Sequence, residues 1–189
     1  GPMTGLIILA TIGVFLLWMI VVYNGLVSLR NDVQSSWKQI DVQLKRRHDL
    51  IPNLVSTVKG MMEFEQDTLE KVVSARARAV SAANPQSKAE AENVLTQALG
   101  RLFAVMENYP ALKSNQNVMH LQEELTSTEN RISFARQLYN DLVANYLTKI
   151  QIFPNNLISS VLGFRREEYF AAEEAARAVP GVNLSLRAK

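Results

Sequence analysis

A chain of 189 residues, 48% of them hydrophobic, is long enough for one folded domain and a membrane anchor. Twenty Lys and Arg against 18 Asp and Glu leave a formal charge of +2, which excludes a strongly basic nucleic-acid binder and an acidic disordered tail. The absence of cysteine excludes disulfides, thiol catalysis and cysteine-ligated metals.

Gly1 and Pro2 ahead of Met3 read as the remnant of a cleaved tag, so residues 1–3 are set aside. From Leu6 to Val22 the chain is apolar except at Thr11 and Gly13, and no charged residue precedes Arg30. At about 1.5 Å per residue, residues 4–23 cover roughly 30 Å, the thickness of a bilayer core. Leu6, Ile7, Ile8, Leu9, Phe15, Leu16, Leu17, Trp18 and Val22 make this a transmembrane helix, with Trp18 and Tyr23 toward the headgroups of its far end. A cleaved signal peptide would need a basic start and a small-residue cleavage site, and Tyr23-Asn24-Gly25-Leu26 offers neither clearly. Arg30, Lys38, Lys45, Arg46 and Arg47 all lie after the span, so the positive-inside rule puts the short N-terminus outside and the domain in the cytoplasm.

Beyond the anchor, Ala, Leu, Glu, Gln, Lys and Arg dominate, without alternating β-branched runs, which predicts an all-α domain. Leu26, Leu29 and Val33, then Trp37, Ile40 and Leu44, then His48, Ile51 and Val55 repeat at eleven residues, the period of a nearly straight stripe. No breaker separates Tyr23 from Asn24, so the anchor is expected to continue into this helix, to kink at Pro52 and to end near Gly60. Two shorter helices follow over residues 62–82 and 86–108. The first has its stripe at Leu69, Val72, Val73 and Arg76, the second at Ala91, Val94, Ala98, Leu102 and Val105. From Lys113 to Gln151, Val118, Leu121, Leu125, Thr128, Ile132, Ala135, Tyr139, Leu142 and Tyr146 form heptads with one polar seam position, Thr128.

Short connections between helices of these lengths predict an up-and-down four-helix bundle over residues 24–153, with a long outer pair, and short C-terminal helices and a tail over 154–189. The long pair outruns the short one and brings Phe153 back to the bilayer. Near the membrane, Leu26, Leu29 and Val33 would face Leu142, Tyr146 and Ile150 without further cover. Either the C-terminal segment closes over them or copies of the chain pack together. The second is favoured, which makes these six, with Leu157, Ile158 and Phe164, candidate contacts of a homo-oligomer.

Several strings carry a family resemblance: LRNDV at Leu29–Val33, WKQIDVQLKRRHDLIPNL at Trp37–Leu54, NYPALK at Asn108–Lys113, LQEELTSTENRISFARQLY at Leu121–Tyr139 and FPNNLI at Phe153–Ile158. They resemble the LemA family closely and in register, from Tyr23 to Asn183. At 61–64 the family usually has a tyrosine or histidine, whereas this chain has Met61-Met62-Glu63-Phe64. The resemblance implies a single-pass protein of the bacterial cytoplasmic membrane with a helical domain of up-and-down type, and it supplies no activity.

The residues themselves offer little chemistry. Lys45, Arg46 and Arg47 wrap around a helix at about 100° steps, which suits a solvated or internally paired face (Arg47 with Asp41 or Asp49) better than one patch. They are also the candidate contacts for an anionic protein partner. His48 reads as a hydrogen-bonded packing residue. A metal-binding or enzymatic bundle built on His48 and helical carboxylates is the alternative, and the Glu-x-x-His spacing of di-metal bundles is missing. No Ser-His-Asp set, phosphate loop or H-E-x-x-H occurs, so neither cofactor nor catalytic residue is expected. The apolar run Leu157–Phe164 before Arg165 and Arg166 suits either closure of the bundle base or a helix lying on lipid. The expected function is a membrane-anchored, self-assembling scaffold; a membrane-shaping protein is a further alternative.

Overall fold

A computed structural model describes residues 1–171, and their regular elements are all helical. In chain order these are α1 (Pro2–Lys59), a short 3-10 turn (Glu63–Glu65), α2 (Gln66–Ser81), α3 (Pro85–Met106), α4 (Pro110–Lys113), α5 (Gln116–Gln151) and α6 (Asn155–Val161). Expectations for the tail beyond Ala171 lie outside the described residues.

α1 runs unbroken for 58 residues, past Asn24 and through Pro52, and stops at Lys59 beside Gly60. Among the described residues it is the one helix long and apolar enough to cross a membrane, and those residues leave its apolar window uncovered. The polar side chain within that window looks after itself: the Thr11 hydroxyl donates to the Ile8 carbonyl at 2.8 Å.

Burial corrects the eleven-residue stripe. Val33, Ile40, Arg47 and Leu54 are buried at intervals of seven, and so are Leu44, Ile51 and Val58. The helix therefore follows a heptad, the period of a seam that stays turned toward its neighbours. The misreading arose because Arg47 occupies a seam position and looks like a surface residue, which moved the apparent stripe onto His48. In α5 one line of the expected heptads, Val118, Leu125, Ile132, Tyr139 and Tyr146, is buried throughout, while Leu121, Ala135 and Leu142 of the other line are half-buried. Thr128 is buried too and donates its hydroxyl to the Glu124 carbonyl at 2.7 Å.

The chain divides into two compact units, each fed by a part of α1 and a part of α5. The first comprises residues 1–44 and 130–168. Here Trp37 and Tyr139 meet with ring centroids 5.1 Å apart, and Arg30, one heptad back, acts on Tyr146, one heptad on, so the two helices run antiparallel. The C-terminal segment closes over them. α6 is tied to the end of α5 by the Ser159 hydroxyl, which donates to the Ile150 carbonyl at 2.8 Å. Gly163, at φ 73°, then makes a left-handed turn, with the Phe164 amide bonded to the Ser159 carbonyl at 2.9 Å. The turn delivers Phe164 edge-on to Tyr23, at 5.9 Å between centroids, and under the Arg30 guanidinium at 5.3 Å.

From there residues 164–168 form an irregular strap. Tyr146 donates its hydroxyl to the Arg165 carbonyl at 2.8 Å, and Tyr139 to the Glu168 carbonyl at 2.7 Å. Seven residues of helix rise about 10.5 Å, and three residues of extended chain reach about 10 Å, so two heptad tyrosines match two strap carbonyls.

The second unit comprises residues 45–129 and, of the described tail, residues 169–171. Its core takes Ile51, Leu54 and Val58 from α1, Leu69 and Val72 from α2, Leu95, Leu99 and Leu102 from α3, and Val118 and Leu125 from α5. α2 and α3 pack as a hairpin. Asn84 caps α3 through a capping box with Ser87, and Pro85 opens the helix. The α3 stripe lies at Glu92, Leu95, Leu99, Leu102 and Met106, about one residue on from the predicted one, while Val94 and Val73 face out.

Candidate functional site

Polar chemistry is concentrated inside the second unit, where α1, α2 and α3 meet. Pro52 has no N–H, so the His48 carbonyl loses its helical donor. Arg76 of α2 replaces it, with Nε donating at 2.6 Å. One residue earlier the Arg47 side chain turns into the core and is 2% exposed. Its guanidinium donates to the Thr96 hydroxyl at 2.6 Å and lies 3.7 Å from the Glu92 carboxylate, itself 4% exposed. The other oxygen of Glu92 is 2.5 Å from His48 Nε2, within hydrogen-bond reach. Burial pushes the Arg47 pKa down, and the charges of Glu92 and Glu129 push it back up. Arg47 Nε and Glu92 Oε2 make no hydrogen bond.

One carboxylate on α3 thus holds two consecutive side chains of α1, and Thr96, one turn further on, holds the first again. Arg47 is paired with Glu92 inside the cluster, and Arg76 is spent on a backbone carbonyl. Such an arrangement fixes register between helices. Among the described residues no group of three or more His, Cys, Asp or Glu is placed to hold a metal ion.

The expected partner-binding residues separate. Lys45 pairs with Asp49 at 3.3 Å and stays exposed, Arg46 pairs with Glu124 and is half-exposed, and Arg47 pairs inward with Glu92 and not with Asp41 or Asp49. Of the expected contacts between copies, Leu26, Val33, Tyr146, Ile150, Ile158 and Phe164 are buried within one chain, Leu29 and Leu142 are half-buried, and Leu157 is exposed. Closure by the C-terminal segment is the arrangement found. The residues missed by sequence reasoning are Glu92, Thr96 and the strap. Glu92 could have been found as the polar member of a heptad with Leu99 and Met106.

A chain whose described residues are helical, with one membrane-length helix near the N-terminus and a buried, hydrogen-bonded polar cluster, is the class defined here. The LemA family model matches residues 36–184, and the chain belongs to the LemA family. It is similar to Magnetosome protein MamQ 1 and Magnetosome protein MamQ 2 of Paramagnetospirillum magneticum, each 27% identical over 93% of this chain and 75% of the relative. It is also similar to Protein LemA of Metamycoplasma hominis, 25% identical over 91% of this chain and 79% of the relative.

Proposed function

We propose that this protein is a membrane-anchored helical scaffold without catalytic activity, held in the bacterial cytoplasmic membrane with its helical part in the cytoplasm. The observation that carries the reading is the continuity of α1. The helix that holds the apolar span also supplies Leu26 and Val33 to the burial of the first unit and Ile51, Leu54 and Val58 to the core of the second. A tether would need only a flexible linker; an unbroken helix transmits position and load.

Charge supports the orientation, because no Lys or Arg precedes the span and Arg30, Lys38, Lys45 and Arg46 follow it. Lys45 and Arg46 remain at the surface as contacts for an acidic protein partner. Self-assembly is part of the proposal. The described residues leave the span uncovered, which suits cover by lipid and by the spans of other copies.

Because the chain lacks cysteine, single Cys residues placed before the span and in α2 report orientation cleanly with a membrane-impermeant maleimide. The α2 site should be protected in intact cells and the N-terminal site labelled. Light scattering of the full chain in nanodiscs should give a mass above one copy. Labelling of the α2 site in intact cells overturns the orientation, and a monomer that purifies with no partner overturns the scaffold.

A further inference from the structure

The geometry points to a second membrane contact: α6 and the turn before it form a foot that lies on the bilayer surface next to the span and takes lipid, chiefly anionic headgroups. This rests on the reading of α1 as a membrane span.

The stretch 150–164 contains no charged residue, yet much of its apolar surface is bare. Phe153 is 77% exposed, Leu157 58%, Val161 83% and Leu162 50%. Leu157 and Val161 are four apart and share one line of α6. Ile158 and Ser159 turn inward against the unit, while the polar Asn156 and Ser160 are exposed along a third line. A helix with one side on protein, one apolar and one polar suits a water–lipid boundary.

Continuity with the span fixes the occupant. Gly163 turns the chain so that Phe164 packs on Tyr23, the aromatic that closes the apolar stretch of α1, with Arg30 over the same ring. α6 therefore ends at the height where the apolar stretch of α1 closes. The charges that bound the bare stretch are Lys149 on one side and Arg165 and Arg166 on the other. They complement anionic lipid, whereas two copies meeting through this face would set cations against cations. The acids Glu167 and Glu168 come only after the strap has turned along α5.

The test uses the full chain, reconstituted in vesicles of phosphatidylcholine and phosphatidylglycerol. Leu157→Cys, Val161→Cys and Ser160→Cys each carry an environment-sensitive fluorophore, and Leu9→Cys in the span is the reference. A foot sunk roughly 5–10 Å into the headgroup boundary gives a blue shift and strong quenching by shallow nitroxide lipids at 157 and 161, while aqueous iodide quenches the label at 160. Removing phosphatidylglycerol should weaken the lipid quenching. Iodide quenching at 157 and 161 with the span reference still lipid-quenched overturns the foot and leaves the anchor standing. Protection from both quenchers, with disulfide cross-links between copies of unlabelled Leu157→Cys, overturns it in favour of a second copy. Loss of lipid quenching at Leu9→Cys overturns both.

Discussion

The Nε of Arg76 donates a 2.6 Å hydrogen bond to the carbonyl of His48, the acceptor that Pro52 strips of its helical donor. A proline inside a 58-residue helix is therefore answered by an arginine on the next helix. Arg76→Ala should cost about 1–3 kcal/mol, the penalty for a buried acceptor without a partner. Pro52→Ala restores the amide that the carbonyl would otherwise use, and it removes a helix-breaking residue worth up to about 3 kcal/mol. In the Pro52→Ala background the loss caused by Arg76→Ala should shrink markedly. Equilibrium unfolding of the four proteins in the cycle checks this, and additive effects would show that Arg76 does not serve that carbonyl.

Arg47 and Glu92 make a different prediction, because each is buried and charged. Glu92→Leu leaves a buried guanidinium without its counter-charge and should cost about 3–5 kcal/mol. Arg47→Met together with Glu92→Leu removes both charges and fills the seam, and should be less damaging than Glu92→Leu alone. His48 also loses its acceptor in both variants, but its side chain is 12% exposed and can turn to water. Thermal unfolding followed by circular dichroism ranks the variants, and a double variant worse than the single one would refute the seam-charge account.

The helices and their order were legible because long amphipathic segments declare themselves by period. α5 was the clearest case, since its seam residues are apolar or aromatic at every position but Thr128. α1 and α3 were misphased for one physical reason: a charged residue at a core position is invisible to a hydrophobic pattern, and Arg47 and Glu92 hide each other. The strap was illegible for another. It is held through its backbone carbonyls, so its own side chains carry little pattern, and the signal sat in the hydroxyls of Tyr139 and Tyr146.

Gly163 offers a local test of how the strap begins. Its φ of 73° is left-handed, which costs an L-residue about 1–2 kcal/mol. No atom lies within 4 Å of where a Cβ would stand, so Gly163→Ala introduces conformational strain without a clash. The variant should lose roughly that amount of local stability, and hydrogen exchange should speed up at the Phe164 amide while the core of the second unit is unchanged. Unaltered exchange at Phe164 would mean that the turn does not hold the strap.

Tyr139 should make the first unit sensitive to alkali. Burial, aided by the charges of Glu167 and Glu168, raises its pKa from 10.0 to about 12, and burial raises Tyr146 in the same direction. A folded-state pKa above the unfolded one means that the native state binds more protons between the two values, so stability is intact below pH 10 and falls as pH climbs from there toward 12. Ionisation also destroys the donor that holds the Glu168 carbonyl. Tyr139→Phe should lose about 1 kcal/mol at neutral pH through the missing hydrogen bond. It should also show a shallower alkaline decline than the parent, although lysines titrate identically in both proteins. Denaturant midpoints measured from pH 8 upward separate the two effects: parallel curves for parent and variant would show that this phenol does not control the alkaline limb. The steeper parent curve is expected because the ring of Tyr139 is fixed against Trp37, so losing its hydroxyl proton leaves a buried charge facing the Glu168 carbonyl of the strap.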